Sequence, residues 1–229
     1  MATRIQWLGH ATLLIESDGR TILIDPFLDD NPSAPFKADA VSPDFILVSH
    51  GHFDHIADAI PIARRTGATV VANFEIAQWL QGQGLENVHG MQHGGGFGFP
   101  FGRLKMTIAF HGSVLPDGTY GGNPAGFHLA LNDGCKIYDA ADTALFSDML
   151  LIGEQGIDLA CLPIGDNFTM GPDDSIRAIG LLQPAQVMPI HYNTWPVIQQ
   201  DAARWAERVG FETRAEPIVP KVGEWVQVR

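Results

Sequence analysis

The stretch that decides the fold is "LVSHGHFDH", residues 47–55, in which an apolar run ends in three histidines and an aspartate. The apolar run predicts a buried strand. In an extended segment His50 and His52 point the same way, so they can bind one metal ion together. Asp54 and His55 follow where the chain turns into a helix, where they can face a second metal ion. Burying these groups without partners would cost about 1–3 kcal/mol or more each, so packing alone does not explain the stretch.

Three further polar residues, His111, Asp142 and His191, each follow the end of a predicted strand. Open sheets gather functional groups at the carboxyl ends of their strands, so we expect these residues to meet the first cluster at one edge. Either histidine alone would be interpreted as an ordinary polar residue. Imidazoles together with two carboxylates suit zinc, manganese or iron better than calcium.

The remaining sequence alternates short strands with helices, in two loosely similar halves that turn at "SDG" and "NDG". The glycine-rich segment 93–102 is predicted to be a loop, and it lacks the lysine and the setting of a phosphate loop. Asn73 is the expected N-cap of the second helix, and Gly67 the C-cap of the first. The helices are predicted over residues 55–67, 73–84, 171–183 and 196–210.

Bulk composition narrows the classes of function. A length of 229 residues fits one large domain or two small ones, and 45% hydrophobic residues is usual for a globular chain. The formal charge of −12 argues against a nucleic-acid partner, because phosphate backbones require basic surfaces. We expect no membrane segment, because the apolar runs are short, and no signal peptide, because the N-terminus lacks a long apolar core and a cleavage site. The two cysteines fit buried thiols in a reducing compartment, so we expect a cytoplasmic location.

Five residues are candidates for supporting the metal ligands or lining the pocket. Asp25 and Asp166 end strands and could fix imidazoles, although Asp25 is equally explained as a turn residue before a proline. His10 lies at a strand end. Thr169 belongs to a loop that either walls the pocket or caps the next helix. Trp195 is an apolar residue near the site that could serve the pocket or an interface in a homo-oligomer, and the oligomeric state is left open.

At this point the sequence resembles the metallo-β-lactamase superfamily. The "SHGHFDH" box matches its H-x-H-x-D-H signature, and the residues at 111, 142 and 191 match the remaining ligand motifs in order. The resemblance covers nearly the whole chain. It implies an α/β fold of the four-layer αββα type over residues 1–229, as a single hydrolase domain with metals at one edge. It also implies that His50, His52 and His111 hold one metal, that Asp54, His55 and His191 hold the other, and that Asp142 bridges.

Several longer segments resemble a widespread group of metal-dependent hydrolases, related to ascorbate-6-phosphate lactonases and more distantly to N-acylphosphatidylethanolamine phospholipase D. These segments are "WLGHATLLIE", "ILIDPFL", "DMLLIGE", "PIGDNFTMGP" and "PIHYNTWP". The sequence departs from the pattern at Ala141, where a glycine usually precedes the bridging aspartate, and at Gly112, where a serine usually follows the third ligand. Ala141 would shift the loop if its position requires a positive φ.

The resemblance implies a hydrolase that cleaves an ester-like bond in a small molecule, with a lactone preferred. A hydroxide bridging two divalent ions, zinc before manganese or iron, would be the nucleophile, and Asp54 would both ligate and orient it. Three alternatives stay open. They are a phosphodiesterase, a di-iron redox protein and a metal-binding scaffold without catalysis. Relatives of the redox type usually carry glutamate in the first ligand box and a flavin domain, whereas this chain has His52 and little room.

Overall fold

A computed structural model describes residues 2–228 of the chain. Fourteen strands form two seven-stranded sheets within these residues. The strands are β1 (Arg4–Trp7), β2 (Leu13–Ser17), β3 (Arg20–Ile24), β4 (Phe45–Leu47), β5 (Thr69–Asn73), β6 (Val88–Met91), β7 (Gly96–Phe99), β8 (Gly102–Ile108), β9 (Ala125–Leu131), β10 (Lys136–Asp139), β11 (Leu159–Pro163), β12 (Gln186–Ile190), β13 (Glu216–Pro217) and β14 (Trp225–Gln227).

The two sheets repeat one topology. The first has the order β14-β1-β2-β3-β4-β5-β6, in which β1 to β3 are antiparallel and β3 to β6 are parallel. The second has the order β13-β12-β11-β10-β9-β8-β7, with β7 to β10 antiparallel and β10 to β13 parallel. This repeated topology corresponds to the two similar halves predicted from the "SDG" and "NDG" turns.

Alternating side chains of the first sheet enter two separate cores. Leu13, Ile15 and Ile22 belong to the large core that also contains the second sheet. Leu14 and Leu23, which point the other way, belong to a smaller core that contains residues of the outer helices. The helices are α1 (Phe53–Ile56), α2 (Ala59–Thr66), α3 (Phe74–Gly82), α4 (Met149–Gly153), α5 (Pro172–Leu182) and α6 (Ala202–Glu212). The predicted αββα sandwich is confirmed.

Both predicted helix caps are confirmed by the structure. The Asn73 side chain accepts a hydrogen bond of 2.9 Å from the backbone N–H of Ile76, and Gly67 adopts φ = 75° after α2. None of the helices in residues 2–228 combines the length and the apolar character required to span a lipid bilayer.

Three local predictions were wrong. The helix predicted from residue 55 breaks before α2, where the Asp58 carboxylate accepts backbone hydrogen bonds from Leu28 and Asp29 at 2.6 and 3.1 Å. The last helix begins only after Asp201, whose side chain caps it, and Pro196–Ile198 form a separate short 3-10 turn. The glycine-rich segment contains β7, because pairing with β8 supplies backbone hydrogen bonds that composition alone does not reveal.

Candidate metal centre

The polar cluster lies where four strands reach one edge of the sandwich. His50 follows β4, His111 follows β8, Asp142 follows β10 and His191 follows β12. Parallel strands deliver their carboxyl ends to the same edge, which explains why residues so distant in sequence meet. Two separate groups of ligand atoms result among the described residues, each with all atoms within 4.8 Å of one another: His50, His52 and His111 in one, and His10, Asp54, His55 and His191 in the other. A third set, Asp25, His50 and His55, meets the same criterion but shares its two histidines with these groups.

The Asp142 carboxylate lies between the two groups. Its Oδ2 atom is 3.0 Å from His191 Nε2 and 3.3 Å from His55 Nε2 in one group, and 3.4 Å from His111 Nε2 and 4.0 Å from His50 Nε2 in the other. The structure thus brings together all seven residues that the sequence predicted as ligands. Their role as ligands stays a prediction.

Unpartnered polar atoms indicate that the cluster fits metal ions. Five buried side-chain polar atoms of the described residues make no hydrogen bond, and three of them, His55 Nε2, Asp142 Oδ1 and His191 Nδ1, belong to the cluster. Native interiors rarely leave such atoms unsatisfied without a missing ion or water. His50 Nε2 and His52 Nδ1 converge to 3.0 Å, close to the roughly 3.3 Å that two nitrogens of a tetrahedral zinc site would have. The donor set is therefore chemically suited to borderline divalent metals.

Asp25 fixes the orientation of two of these imidazoles. Its carboxylate accepts hydrogen bonds from His55 Nδ1 at 2.7 Å and from the Ser49 backbone N–H at 2.7 Å, and it also accepts from the Ser49 hydroxyl. The Ser49 oxygen is then free to accept from His50 Nδ1 at 2.9 Å. Both Nδ1 atoms are thereby assigned as donors, which directs the Nε2 atoms of His50 and His55 at the cluster.

His10 fixes the orientation of Asp54 by a hydrogen bond. Its Nε2 lies 2.9 Å from Asp54 Oδ2, and its Nδ1 lies 2.8 Å from the hydroxyl of Thr194. Burial lowers the pKa of His10 to about 4. Burial opposes ionisation of Asp54, but the hydrogen bond from His10 and the charge of His55 lower the pKa of that carboxyl to about 2. Asp54 is therefore an anion held in a fixed position.

The buried charges are distributed unevenly. Burial lowers the pKa of His50 well below its ordinary value, and the neighbouring His55 adds to that effect. Burial also opposes the charging of His55, but Asp142 and Asp25 outweigh it and raise the His55 pKa well above the ordinary value. Burial alone would raise the pKa of Asp142, whereas the adjacent His191 and His55 hold it well below its usual range. A carboxylate is thus stabilised in the centre of the cluster.

The backbone under the cluster is strained at several non-glycine residues. His10, Asp25, Ala141 and His191 have φ values of 54°, 46°, 51° and 53°. Such left-handed conformations are unfavourable for residues with a side chain and concentrate at functional sites. Ala141 does occupy a position that requires positive φ, as expected if glycine is usual there. A side chain at Gly112 would meet His52 only at ordinary contact distances of 3.6 and 3.7 Å, so this departure leaves room.

A cavity of about 480 Å³ opens above the cluster and reaches His52, Asp54, His111, Asp142 and His191. Trp195 lines it, as expected of a pocket residue. Asp166 and Thr169 do not line it. Asp166 instead accepts a hydrogen bond from Asn167 N–H in its own loop, and the loop reaches the cavity through the neighbouring Phe168.

Sequence reasoning missed several residues of the site. The hydroxyl of Ser49, the Thr194 contact with His10, and the cavity wall formed by Phe53, Phe168 and Val197 were not predicted. Position within a motif was the only sequence signal for three of them. Ser49 and Phe53 lie in "SHGHFDH", and Thr194 lies in "PIHYNTWP", three residues after His191.

Comparison with known proteins agrees with this geometry. A model of the β-lactamase superfamily domain matches residues 4–191. A UPF0173 metal-dependent hydrolase from Thermus thermophilus is 50% identical over 205 residues, covering 89% of this chain and 90% of the relative. Another, from Heliobacterium modesticaldum, is 48% identical over 220 residues, covering 93% of this chain and 92% of the relative.

A solved structure gives the same result. A metallo hydrolase from the hyperthermophilic archaeon Ignicoccus hospitalis superimposes with a TM-score of 0.90 at 33% sequence identity, covering 100% of this chain and 99% of that one. The metallo-β-lactamase type of the sandwich is thereby confirmed. The chain belongs to the β-lactamase superfamily and, within it, to the UPF0173 metal-dependent hydrolases.

Proposed function

We propose that this metal-dependent hydrolase binds two divalent metal ions and cleaves an ester-like bond in a small molecule. One observation carries the proposal. Asp142 Oδ2 lies within 4.0 Å of histidine nitrogens from both ligand groups, at 3.4 and 4.0 Å on one side and 3.0 and 3.3 Å on the other. A single carboxylate in that position is suited to bridge a metal pair.

Zinc is the metal we propose first. Imidazole nitrogens predominate in both groups, and zinc prefers such donors, although manganese and iron accept them as well. His50, His52 and His111 would hold one ion, and Asp54, His55 and His191 the other. When bound, the two ions would lower the pKa of a shared water towards neutrality and polarise the scissile bond.

The protein's own residues have separable tasks in this proposal. Asp54, held as an anion by His10, orients the attacking water and accepts its hydrogen bond. Asp25, directly for His55 and through Ser49 for His50, keeps the Nε2 atoms of both imidazoles directed at the cluster. The cavity above them positions the substrate. Hydrolysis then forms one bond from water oxygen to the acyl carbon and breaks the bond to the leaving alcohol, which takes up the proton.

The alternatives receive less support. In the part of the chain that the structure describes, the residues that line the cavity include no lysine or arginine to bind a phosphodiester, and the net charge of −12 disfavours nucleic acid as a partner. No feature of the cavity selects a cyclic ester, so a lactone is one test substrate among several. The proposed partner is a small molecule.

The test is metal content measured by elemental analysis, together with hydrolysis of 4-nitrophenyl acetate. The protein carries no affinity tag. We expect about two metal ions per wild-type chain, and loss of one ion in His52→Ala and of the other in His191→Ala, each with loss of hydrolysis. His89→Ala, a histidine outside both groups, is the control and should retain both ions and activity. Full activity in His52→Ala, or absence of metal after zinc and manganese are added, would show that the proposal is wrong.

A further inference from the structure

The walls of the cavity differ from its floor. The floor consists of the metal-competent side chains described above, and the walls consist of Phe53, Phe168, Trp195 and Val197. The cavity volume of about 480 Å³ lies in the range of small-molecule sites. The part of a ligand that extends beyond the reacting bond would therefore contact mainly these four apolar side chains.

The wall residues come from three segments of the chain, around residues 53, 168 and 195–197. Together they leave apolar surface open to solvent. Phe53, Phe168 and Val197 are 58%, 53% and 54% exposed. Phe53 and Trp195 pack with ring centroids 6.1 Å apart, and Trp195 also packs on His10 at 4.8 Å, which anchors one wall to the cluster. Exposed apolar side chains that converge on a concave surface indicate a binding site for apolar groups.

Lysine and arginine are absent from the lining of the cavity within residues 2–228. Arg4 and Arg20 line a different cavity, and Arg208 pairs with Asp173 and Glu212. A phosphate or carboxylate on the substrate, remote from the reacting bond, would therefore lose its hydration without gaining a cationic partner.

We propose that the substrate is an uncharged ester-like molecule whose apolar portion lies against Phe53, Phe168, Trp195 and Val197. This inference rests on the proposed function, since the reacting bond must lie above the metal cluster. Water adds to the acyl carbon and the alcohol leaves with a proton, so no oxidant or further reactant is required. Specificity arises from burial of the apolar portion, while charged analogues are rejected by desolvation.

The first test compares 4-nitrophenyl esters on the zinc-loaded protein. From acetate to hexanoate we expect kcat/KM to rise up to about fourfold for each added methylene, as expected for burial of that group. The negatively charged 4-nitrophenyl hemisuccinate should be at least about tenfold poorer than the butyrate, because its carboxylate is desolvated without a partner. Phe168→Ala should flatten the dependence on chain length, and Phe211→Ala, an exposed phenylalanine outside the cavity, should not change it.

A second test separates this inference from the proposed function. Binding of octanamide, which is uncharged and lacks an ester, is measured by calorimetry on the metal-free protein. We expect binding that is weakened about tenfold in Phe168→Ala and unchanged in Phe211→Ala. Failure of every ester to react with zinc-loaded protein would overturn the proposed function. If kcat/KM did not depend on the chain length or the charge of the ester, or if Phe168→Ala left octanamide binding unchanged, the proposed substrate class alone would be overturned.

Discussion

The two halves of the molecule bring their metal-competent side chains to the site in different ways. The first half supplies four from the single stretch 50–55, and a network around Asp25 and Ser49 holds two of them by hydrogen bonds. The second half supplies His111, Asp142 and His191 from three separate loops. The first set is therefore oriented by hydrogen-bonded neighbours, whereas the second is oriented mainly by backbone position and by charge.

Two details of the second half show the consequence. Within residues 2–228, Asp142 Oδ1 and His191 Nδ1 are buried and make no hydrogen bond. Asp142 follows the left-handed Ala141, and His191 is itself left-handed. Asp139, also buried, lies at the end of β10 just below, and its Oδ1 accepts a hydrogen bond of 3.2 Å from Ala141 N–H. Assembling the site therefore has an energetic cost in this half, as it does in the first, where His10 and Asp25 are also left-handed and His55 Nε2 makes no hydrogen bond.

Removing the support of the first half should have the largest effect. In Asp25→Asn the amide cannot accept from all three donors that the carboxylate now satisfies, so the orientations of His50 and His55 are no longer fixed. We expect zinc affinity to fall about 10- to 100-fold, the usual effect of losing such a partner. Competition with a chromophoric chelator measures it.

The matched control for this experiment is Asp174→Asn, an exposed aspartate on α5 that pairs with Arg177. It should leave zinc affinity unchanged. If Asp25→Asn bound zinc as tightly as the wild type, hydrogen bonds from neighbouring residues would not be what orients the ligands of the first half.

The energetic cost of burying Asp139 in the second half should appear in the pH dependence of the free energy of unfolding. Burial, with the nearby Asp25, raises the pKa of Asp139 to about 8. The folded protein therefore keeps a proton that the unfolded chain loses near pH 4, and the free energy of unfolding contributed by Asp139 falls between about pH 4 and about pH 8. The slope is at most about 1.4 kcal/mol per pH unit.

Asp139→Asn isolates this contribution, since an amide oxygen can still accept from Ala141 N–H. Denaturant unfolding of both metal-free proteins should show the variant gaining stability over wild type as pH rises from 5 to about 8. Histidine titrations largely cancel in this difference. A stability difference that does not change with pH would contradict a raised pKa for Asp139.

The smallest expected effect concerns the backbone beside Asp142. In Ala141→Gly a left-handed alanine, at φ = 51°, is replaced by the residue that tolerates this conformation best. Relief of the left-handed strain should stabilise the folded protein by roughly 1–2 kcal/mol. The greater backbone entropy of glycine in the unfolded chain and the loss of a buried methyl group oppose this, so we expect the free energy of unfolding to rise by between zero and about 1 kcal/mol. Thermal unfolding would register this as a rise in Tm of up to about 4 °C.

Ala140→Gly is the control, because Ala140 is equally buried and its φ is not positive. It loses the same methyl group without relief of strain, and should be destabilised by about 1 kcal/mol. Equal destabilisation in the two variants would show that the conformation of Ala141 stores no strain.

Local patterns were sufficient to predict several elements. The alternation in β2 and β3, the turn at "NDG" between β9 and β10, and the Asn73 cap all depend on neighbours in sequence. The break before α2 and the strand β7 were not predictable in this way. The first depends on amides of Leu28 and Asp29, about thirty residues earlier, and the second on pairing with β8.

The sequence by itself determined the donor set, because "SHGHFDH" and three strand-end residues carry chemistry that packing does not explain. Only the tertiary structure decided how the donors are grouped, that Asp142 lies between the groups, and that His10 meets Thr194, 184 residues away. It also decided that Phe53, Phe168 and Val197 line the same cavity as Trp195. Local sequence specifies residue type and backbone tendency, whereas these contacts are set by strand order and by where the connecting loops return to the sheet edge.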